Sequence, residues 1–274
     1  MMSKPLALTS GEPAGIGPDI ALAAWLRRDE LKLPPFYLLG DREFLAERAH
    51  RLGLAVELAD ASPEEALGTF ARALPVVPAG KPATARPGTP DATSADAALS
   101  SIRRAVADVM AGKAAAVVTN PIAKNVLYRA GFGHPGHTEF LAELAAKNGV
   151  APQPVMMLWS PELAVVPVTI HLSLREALAL LTTDLIVSTA RIVVADMKAR
   201  FGLARPRLAI SGLNPHAGED GTLGSEDIEI VAPAVEILRA EGVDVRGPLP
   251  ADTLFHKARA PPMTAQSACI TIRR

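Results

Sequence analysis

Short apolar runs alternate with longer amphipathic segments along most of this chain, and no other feature constrains its fold as tightly. Residues 5–9, 36–39, 114–119, 163–169 and 207–211 read as buried strands. Between them, residues 20–28, 41–52, 94–110 and 184–201 read as helices. Gly17-Pro18-Asp19 opens the first helix with proline near its first turn, and Asp41 is placed to cap the second. Ala98, Ile102, Val106 and Met110 recur at helical spacing in the third. The pattern predicts an α/β fold with a mainly parallel sheet covered by helices. The proline-rich stretch 75–90 reads as an extended surface loop. A domain boundary is expected near Gly131, where Gly131-Phe132-Gly133-His134-Pro135-Gly136 interrupts the alternation. That divides the chain into a first α/β domain, 1–130, a second, 131–260, and a tail, 261–274.

Composition narrows the function. An apolar content of 49% supplies a sizeable core. With 28 basic and 29 acidic residues, no polybasic run and only 4% aromatics, nucleic acid is not an expected partner. No apolar stretch has the length of a membrane span and the amino terminus lacks a signal-peptide pattern, so a cytoplasmic location without membrane contact is expected. The single cysteine, Cys269, rules out an internal disulfide framework and a cysteine-based zinc site. A metal would have to rest on histidine and carboxylate.

Two histidines stand where such a metal would be held. His171, in Thr169-Ile170-His171-Leu172, and His216, in Asn214-Pro215-His216-Ala217-Gly218-Glu219, each follow a strand-like run. Both therefore sit at the carboxyl ends of strands, where open α/β sheets bind ligands, and neutral imidazole is the commonest protein ligand for divalent transition metals. A hydrogen-bonded structural histidine is the plainer alternative for either one alone. Gly136-His137-Thr138-Glu139-Phe140 opens a helical run with an imidazole and a hydroxyl, which suits an anionic substrate; a helix cap beside a surface histidine is its alternative. Gly11-Glu12-Pro13-Ala14-Gly15-Ile16-Gly17 matches neither the Rossmann fingerprint nor a Walker loop, and is read as a tight strand-to-helix turn without a cofactor role. Lys124 could meet an anion but reads as a solvated lysine at a helix start.

Taken together, these islands resemble the 4-hydroxythreonine-4-phosphate dehydrogenase family of vitamin B6 biosynthesis. Thr9-Ser10-Gly11-Glu12-Pro13-Ala14-Gly15-Ile16-Gly17-Pro18-Asp19 and Thr119-Asn120-Pro121-Ile122-Ala123-Lys124 resemble two of its signatures. The segments around His137, His171 and His216, then Gly247-Pro248-Leu249-Pro250-Ala251-Asp252-Thr253-Leu254-Phe255, follow in family order. The resemblance implies two α/β/α domains around a cleft, as in isocitrate and isopropylmalate dehydrogenases, and a homodimer with its active site at the interface. It implies NAD or NADP and one divalent ion (zinc, magnesium or cobalt). The implied reaction oxidises 4-phosphohydroxy-L-threonine to a 2-amino-3-oxo acid, which decarboxylates to 3-amino-2-oxopropyl phosphate. By the same resemblance His171 and His216 are metal ligands, and His137 and Thr138 contact substrate. Asp252 is a proton acceptor or the orienter of a ligand histidine, with an Asx-type turn as its alternative. Competing readings are a dehydrogenase of threonate or erythronate 4-phosphate and a non-catalytic remnant.

The family pattern stops near Ala260. Its third metal histidine belongs to a Tyr-His-Asp-Gln-Gly segment that this sequence does not contain, and His256 reads as a surface residue rather than a substitute. One permitted codon path from Pro262, read one frame over, encodes Tyr-Asp-Gly-Ala-Val-Cys-Met-Tyr-His-Asp-Gln. The expectation is a frame slip between Arg259 and Pro262, which leaves a tail with no recognisable strand or helix, exposes sheet edges and impairs activity.

Overall fold

The computed structural model describes residues 4–81, 85–134, 136–254 and 269–273, and the chain divides into two compact units, Met1–Gln153 and Pro154–Arg274. In the first unit the elements run β1 (Leu6–Leu8), α1 (Gly17–Leu26), β2 (Phe36–Gly40), α2 (Arg42–Arg51), β3 (Leu58–Asp60), α3 (Ala66–Thr69), β4 (Leu74–Pro78), α4 (Ala92–Met110), β5 (Val117–Val118), α5 (Lys124–Arg129) and α6 (His137–Leu144). The five strands form one parallel sheet in the order β3-β4-β2-β1-β5. Asp41 caps α2 as its sequence context predicts, its carboxylate accepting from the backbone N–H groups of Glu43 (2.9 Å) and Phe44 (3.5 Å).

Two expectations need correction in this unit. The proline-rich stretch begins as a buried strand, because β4 sits between β3 and β2 with Leu74, Val76 and Val77 in the core, while its described residues 79–81 and 85–90 lie outside strands and helices and are mostly exposed, as a surface loop would be. Pro75 and Pro78 are accommodated in this strand although proline cannot donate to a ladder. The boundary lies at Gln153/Pro154, not near Gly131. The physical reason is packing: Val126, Leu127, Phe132 and Phe140 of the 124–144 region share a hydrophobic cluster with Ala95, Ala98, Leu99 and Ile102 of α4. His137 and Thr138 thereby belong to the first unit.

The second unit contains β6 (Leu158–Trp159), β7 (Ala164–Pro167), α7 (Leu174–Leu180), α8 (Thr183–Ala199), β8 (Arg207–Ser211), α9 (Ala232–Ala240), β9 (Asp244–Leu249), α10 (Ala251–Leu254) and β10 (Cys269–Arg273). Its sheet has the order β6-β7-β10-β8-β9 and is mixed, not mainly parallel: only β8 and β9 pair in parallel. Ile186, Val187, Ala190, Val193 and Met197 of α8 and Ala234, Val235 and Leu238 of α9 pack on Val166, Leu208, Ile210 and Ile270 of the strands. The tail is thus not without structure. Residues 269–273 form the central strand, antiparallel to both neighbours, with Ile270 opposite Val166 on one side and Ile210 on the other. His256 and most of the tail, including the expected frame slip, lie outside the described residues. Among the described residues no single helix is long and apolar enough to cross a membrane.

Candidate active site

In the second unit, β7 and β8 each run antiparallel to β10, so they point the same way, and β9 runs parallel to β8. His171 follows β7, His216 follows β8, and Asp252 follows β9 on α10. All three sequence candidates therefore leave the same edge of one sheet at strand carboxyl ends. Strands β7 and β8 are not neighbours, however. With β10 between them their axes are about 10 Å apart, two interstrand spacings.

One pair is joined. His216 Nδ1 lies 3.0 Å from Asp252 Oδ2, with the two side chains 55% and 48% exposed. An imidazole that donates Nδ1–H to a carboxylate keeps its lone pair on Nε2, the arrangement a metal-ligating histidine uses. A carboxylate at this distance from Nδ1 is placed to orient the imidazole. His171 is exposed and holds a positive φ of 56°, uncommon for a non-glycine residue. Immediately after it, Ser173 and Glu176 form a reciprocal capping box at the start of α7, which anchors the segment. Donor type fits a divalent ion at His171 and His216. Among the described residues, though, no group of three or more His, Cys, Asp or Glu is gathered to hold one.

The backbone presenting His216 is unusual. His216, Ala217, Gly218, Glu219 and Asp220 all have positive φ (53°, 55°, 79°, 43° and 54°). Left-handed runs of L residues are disfavoured, and such geometry persists only where surrounding contacts impose it. Asp227, 1% exposed, accepts from the backbone N–H groups of Leu213 (2.7 Å) and Asn214 (2.9 Å), and Asn214 Nδ2 donates to Glu226 at 2.8 Å. The latter bond, with one from Glu226's own backbone, lowers the Glu226 pKa. Sequence reasoning missed Asp227. Its only signal was an acidic residue a short distance beyond a glycine-rich turn.

In the first unit, His137 opens α6, whose N-cap Gly136 makes no side-chain cap hydrogen bond. His137 Nε2 is buried and has no hydrogen-bond partner among the described residues. Burial holds the His137 pKa below its ordinary value, and the charge of Lys124 pushes in the same direction. Lys124 Nζ approaches within 3.8 Å of where a Gly136 side chain would begin, so this exposed lysine faces the helix start. Thr138 is partly buried beside His137.

The glycine-rich turn is filled by the chain itself. A Cβ on Gly11, whose φ is +67°, would lie 2.6 Å from both Asn120 Cβ and the Pro121 carbonyl oxygen. Asn120 in turn donates from Nδ2 to the Thr9 carbonyl (2.8 Å) and from its backbone to Thr9 Oγ1 (3.1 Å). The two signatures 9–19 and 119–124 are thus two halves of one packing contact, as the tight-turn reading predicts.

Comparison with known proteins decides the family. The family profile described as pyridoxal phosphate biosynthetic protein PdxA matches residues 32–268. The chain belongs to the PdxA family. It is 67% identical over 264 residues to a 4-hydroxythreonine-4-phosphate dehydrogenase from Bradyrhizobium diazoefficiens, covering 93% of this chain and 76% of the relative. A crystal structure of the Klebsiella pneumoniae 4-hydroxythreonine-4-phosphate dehydrogenase superposes with a TM-score of 0.81 at 36% identity, covering 94% of this chain and 77% of that one. A terephthalate 1,2-cis-dihydrodiol dehydrogenase from Burkholderia xenovorans superposes with a TM-score of 0.63 at 30% identity, covering 92% and 75%. PdxA proteins are NAD(P)-dependent dehydrogenases with the isocitrate-dehydrogenase-like α/β fold, and the two α/β units described above are those of that fold.

Proposed function

We propose that this PdxA-family chain is a cytoplasmic 4-hydroxythreonine-4-phosphate dehydrogenase. In this reading it oxidises 4-phosphohydroxy-L-threonine with NAD or NADP to a 2-amino-3-oxo acid, which loses carbon dioxide to give 3-amino-2-oxopropyl phosphate. The observation that carries the site assignment is the His216–Asp252 pair at the carboxyl ends of β8 and β9. His171 and His216 would hold the divalent ion, zinc, magnesium or cobalt. When bound, that ion polarises the substrate hydroxyl, while the nicotinamide accepts the hydride. Asp252 keeps the proton on His216 Nδ1 and so leaves Nε2 free to ligate. His137 and Thr138 offer an imidazole and a hydroxyl to the substrate's polar groups, and burial keeps that imidazole neutral near pH 7.

A homodimer is part of this reading. It is supported by α7, which has no buried residues and exposes Leu174 (72%), Leu178 (54%) and Leu180 (53%), an apolar face that association would cover. Light scattering on the purified chain checks it, and a monodisperse monomer at high concentration would count against it.

Because a structural relative named for a dihydrodiol shares the fold, substrate is decided by assay. Cofactor reduction is measured with 4-phosphohydroxy-L-threonine and with threonate and erythronate 4-phosphates. The chain itself is compared with a form in which residues 261–274 are replaced by the Tyr-His-Asp-Gln-bearing segment read one frame over. The expected result is turnover of the first substrate, greatest in the form with the third histidine. Metal-loaded protein that reduces neither cofactor with any of the three in either form would overturn the proposal.

A further inference from the structure

We propose that Asp227 is a positioning residue for His216, acting as a clamp that sets the imidazole against Asp252 and so determines which ring nitrogen faces the metal. The inference rests on the metal reading above and extends it to a residue that touches neither metal nor substrate.

His216 has no rigid element of its own. It leaves β8 through Gly212-Leu213-Asn214-Pro215 and stands at the start of five consecutive residues with left-handed backbone. Four of those five carry side chains that disfavour this conformation. Intrinsic preference therefore opposes the turn, and contacts from outside must hold it. The segment leading into it is held by Asp227, whose two carboxylate oxygens each accept one backbone N–H, from Leu213 at 2.7 Å and from Asn214 at 2.9 Å. Being 1% exposed, this carboxylate meets little competition from water. Glu226 adds a second grip, on the Asn214 side chain. The approach is close on both sides: a Cβ on Gly212 would lie 3.0 Å from Asp227 Oδ1 and 2.8 Å from Ala217 Cα. A carboxylate at residue 227 therefore fixes the backbone at 213 and 214, the segment that leads into the turn carrying His216, whose Nδ1 lies 3.0 Å from Asp252. Strained backbone held by a buried charge beside a functional side chain is how a site fixes one orientation of an exposed group. Without the clamp, an imidazole 55% exposed would sample several rotamers and both tautomers.

The test compares the unmodified chain with D227N and E226A, using cobalt(II) alone as the probe. Three quantities are read: cobalt affinity by calorimetry, the His216 tautomer by imidazole nitrogen NMR without metal, and thermal stability. D227N is expected to weaken cobalt binding about tenfold and to turn the single His216 tautomer into a mixture. E226A is expected to move both readouts the same way by a smaller factor. A purely structural Asp227 predicts a lower melting temperature with tautomer and cobalt affinity unchanged, and that result overturns the proposal. Should D227N fail to fold, E226A decides: unchanged tautomer and affinity in that variant overturn it. Absence of cobalt binding in the unmodified chain overturns the metal reading and the clamp's role toward it together. Cobalt binding that survives D227N intact overturns the clamp alone.

Discussion

Truncating Ile270 tests the least expected feature of this fold, the strand contributed by the tail. Ile270 is 0% exposed and lies in the cluster formed by Val166, Ile186, Leu208, Ile210 and Leu238. The strand that carries it bonds to β7 on one side and β8 on the other. For I270A the loss is the transfer free energy of the removed carbons plus the cavity left behind, and buried Ile-to-Ala changes cost about 2–5 kcal/mol. A site between two strands and two helices has little freedom to collapse, so we expect about 3–4 kcal/mol, in the upper part of that range. At about 2–4 °C per kcal/mol for a domain of this size, the melting temperature should fall by roughly 6–16 °C. The surface control is V150A, since Val150 is 71% exposed and lies outside the α7 face, and it should cost less than about 0.5 kcal/mol. Urea unfolding of the three proteins measures the differences, and amide exchange of β7 and β8 locates them. If I270A is as stable as V150A, the tail does not occupy the centre of the sheet and the β7-β10-β8 order is wrong.

Other outcomes follow from single contacts. D252N should weaken cobalt binding about tenfold while costing less than about 1 kcal/mol of stability, because the His216–Asp252 pair is half exposed; a calorimetric affinity equal to that of the unmodified chain would remove the orienting role. His137 should titrate below its ordinary value of about 6.5, and K124M should raise its midpoint, since the Lys124 charge opposes protonation; an unchanged NMR titration in K124M would contradict that cause. With the folded pKa depressed, the unfolded chain binds the proton more readily. The stability contribution of a neutral His137 is therefore fully present above about pH 6.5 and is lost as pH falls through the folded value, so H137Q should flatten the acid limb of a stability-against-pH curve. G11A should destabilise the first unit by more than about 2 kcal/mol in denaturant titration, combining a left-handed φ with a 2.6 Å approach to Asn120 and Pro121; near-wild-type stability would mean that the two signature turns do not pack as described.

Local chemistry alone specified much of this protein. Helices α1, α2, α4 and α8 follow from apolar spacing and from the Asp41 cap, and β8 lies at Arg207–Ser211 as its apolar run predicts, because burying one face leaves a period in the sequence. That His171 and His216 follow strands was legible for the same reason, since each comes after an apolar run that became β7 or β8, and His137 was legible as the opening of a helix. Tertiary structure decided what depends on partners far along the chain. Pairing placed β4 in the core despite its prolines, and inserted residues 269–273 between β7 and β8, the strands that precede His171 and His216. The clustering of Phe132 and Phe140 with Ile102 put His137 in the first unit, since a glycine-rich interruption marks a turn whether or not a domain ends there. Asp227 was invisible for the same reason. A carboxylate's role as a clamp is set by which backbone N–H groups the fold brings to it, and neither Leu213 nor Asn214 carries a sign of that partner in its own sequence neighbourhood.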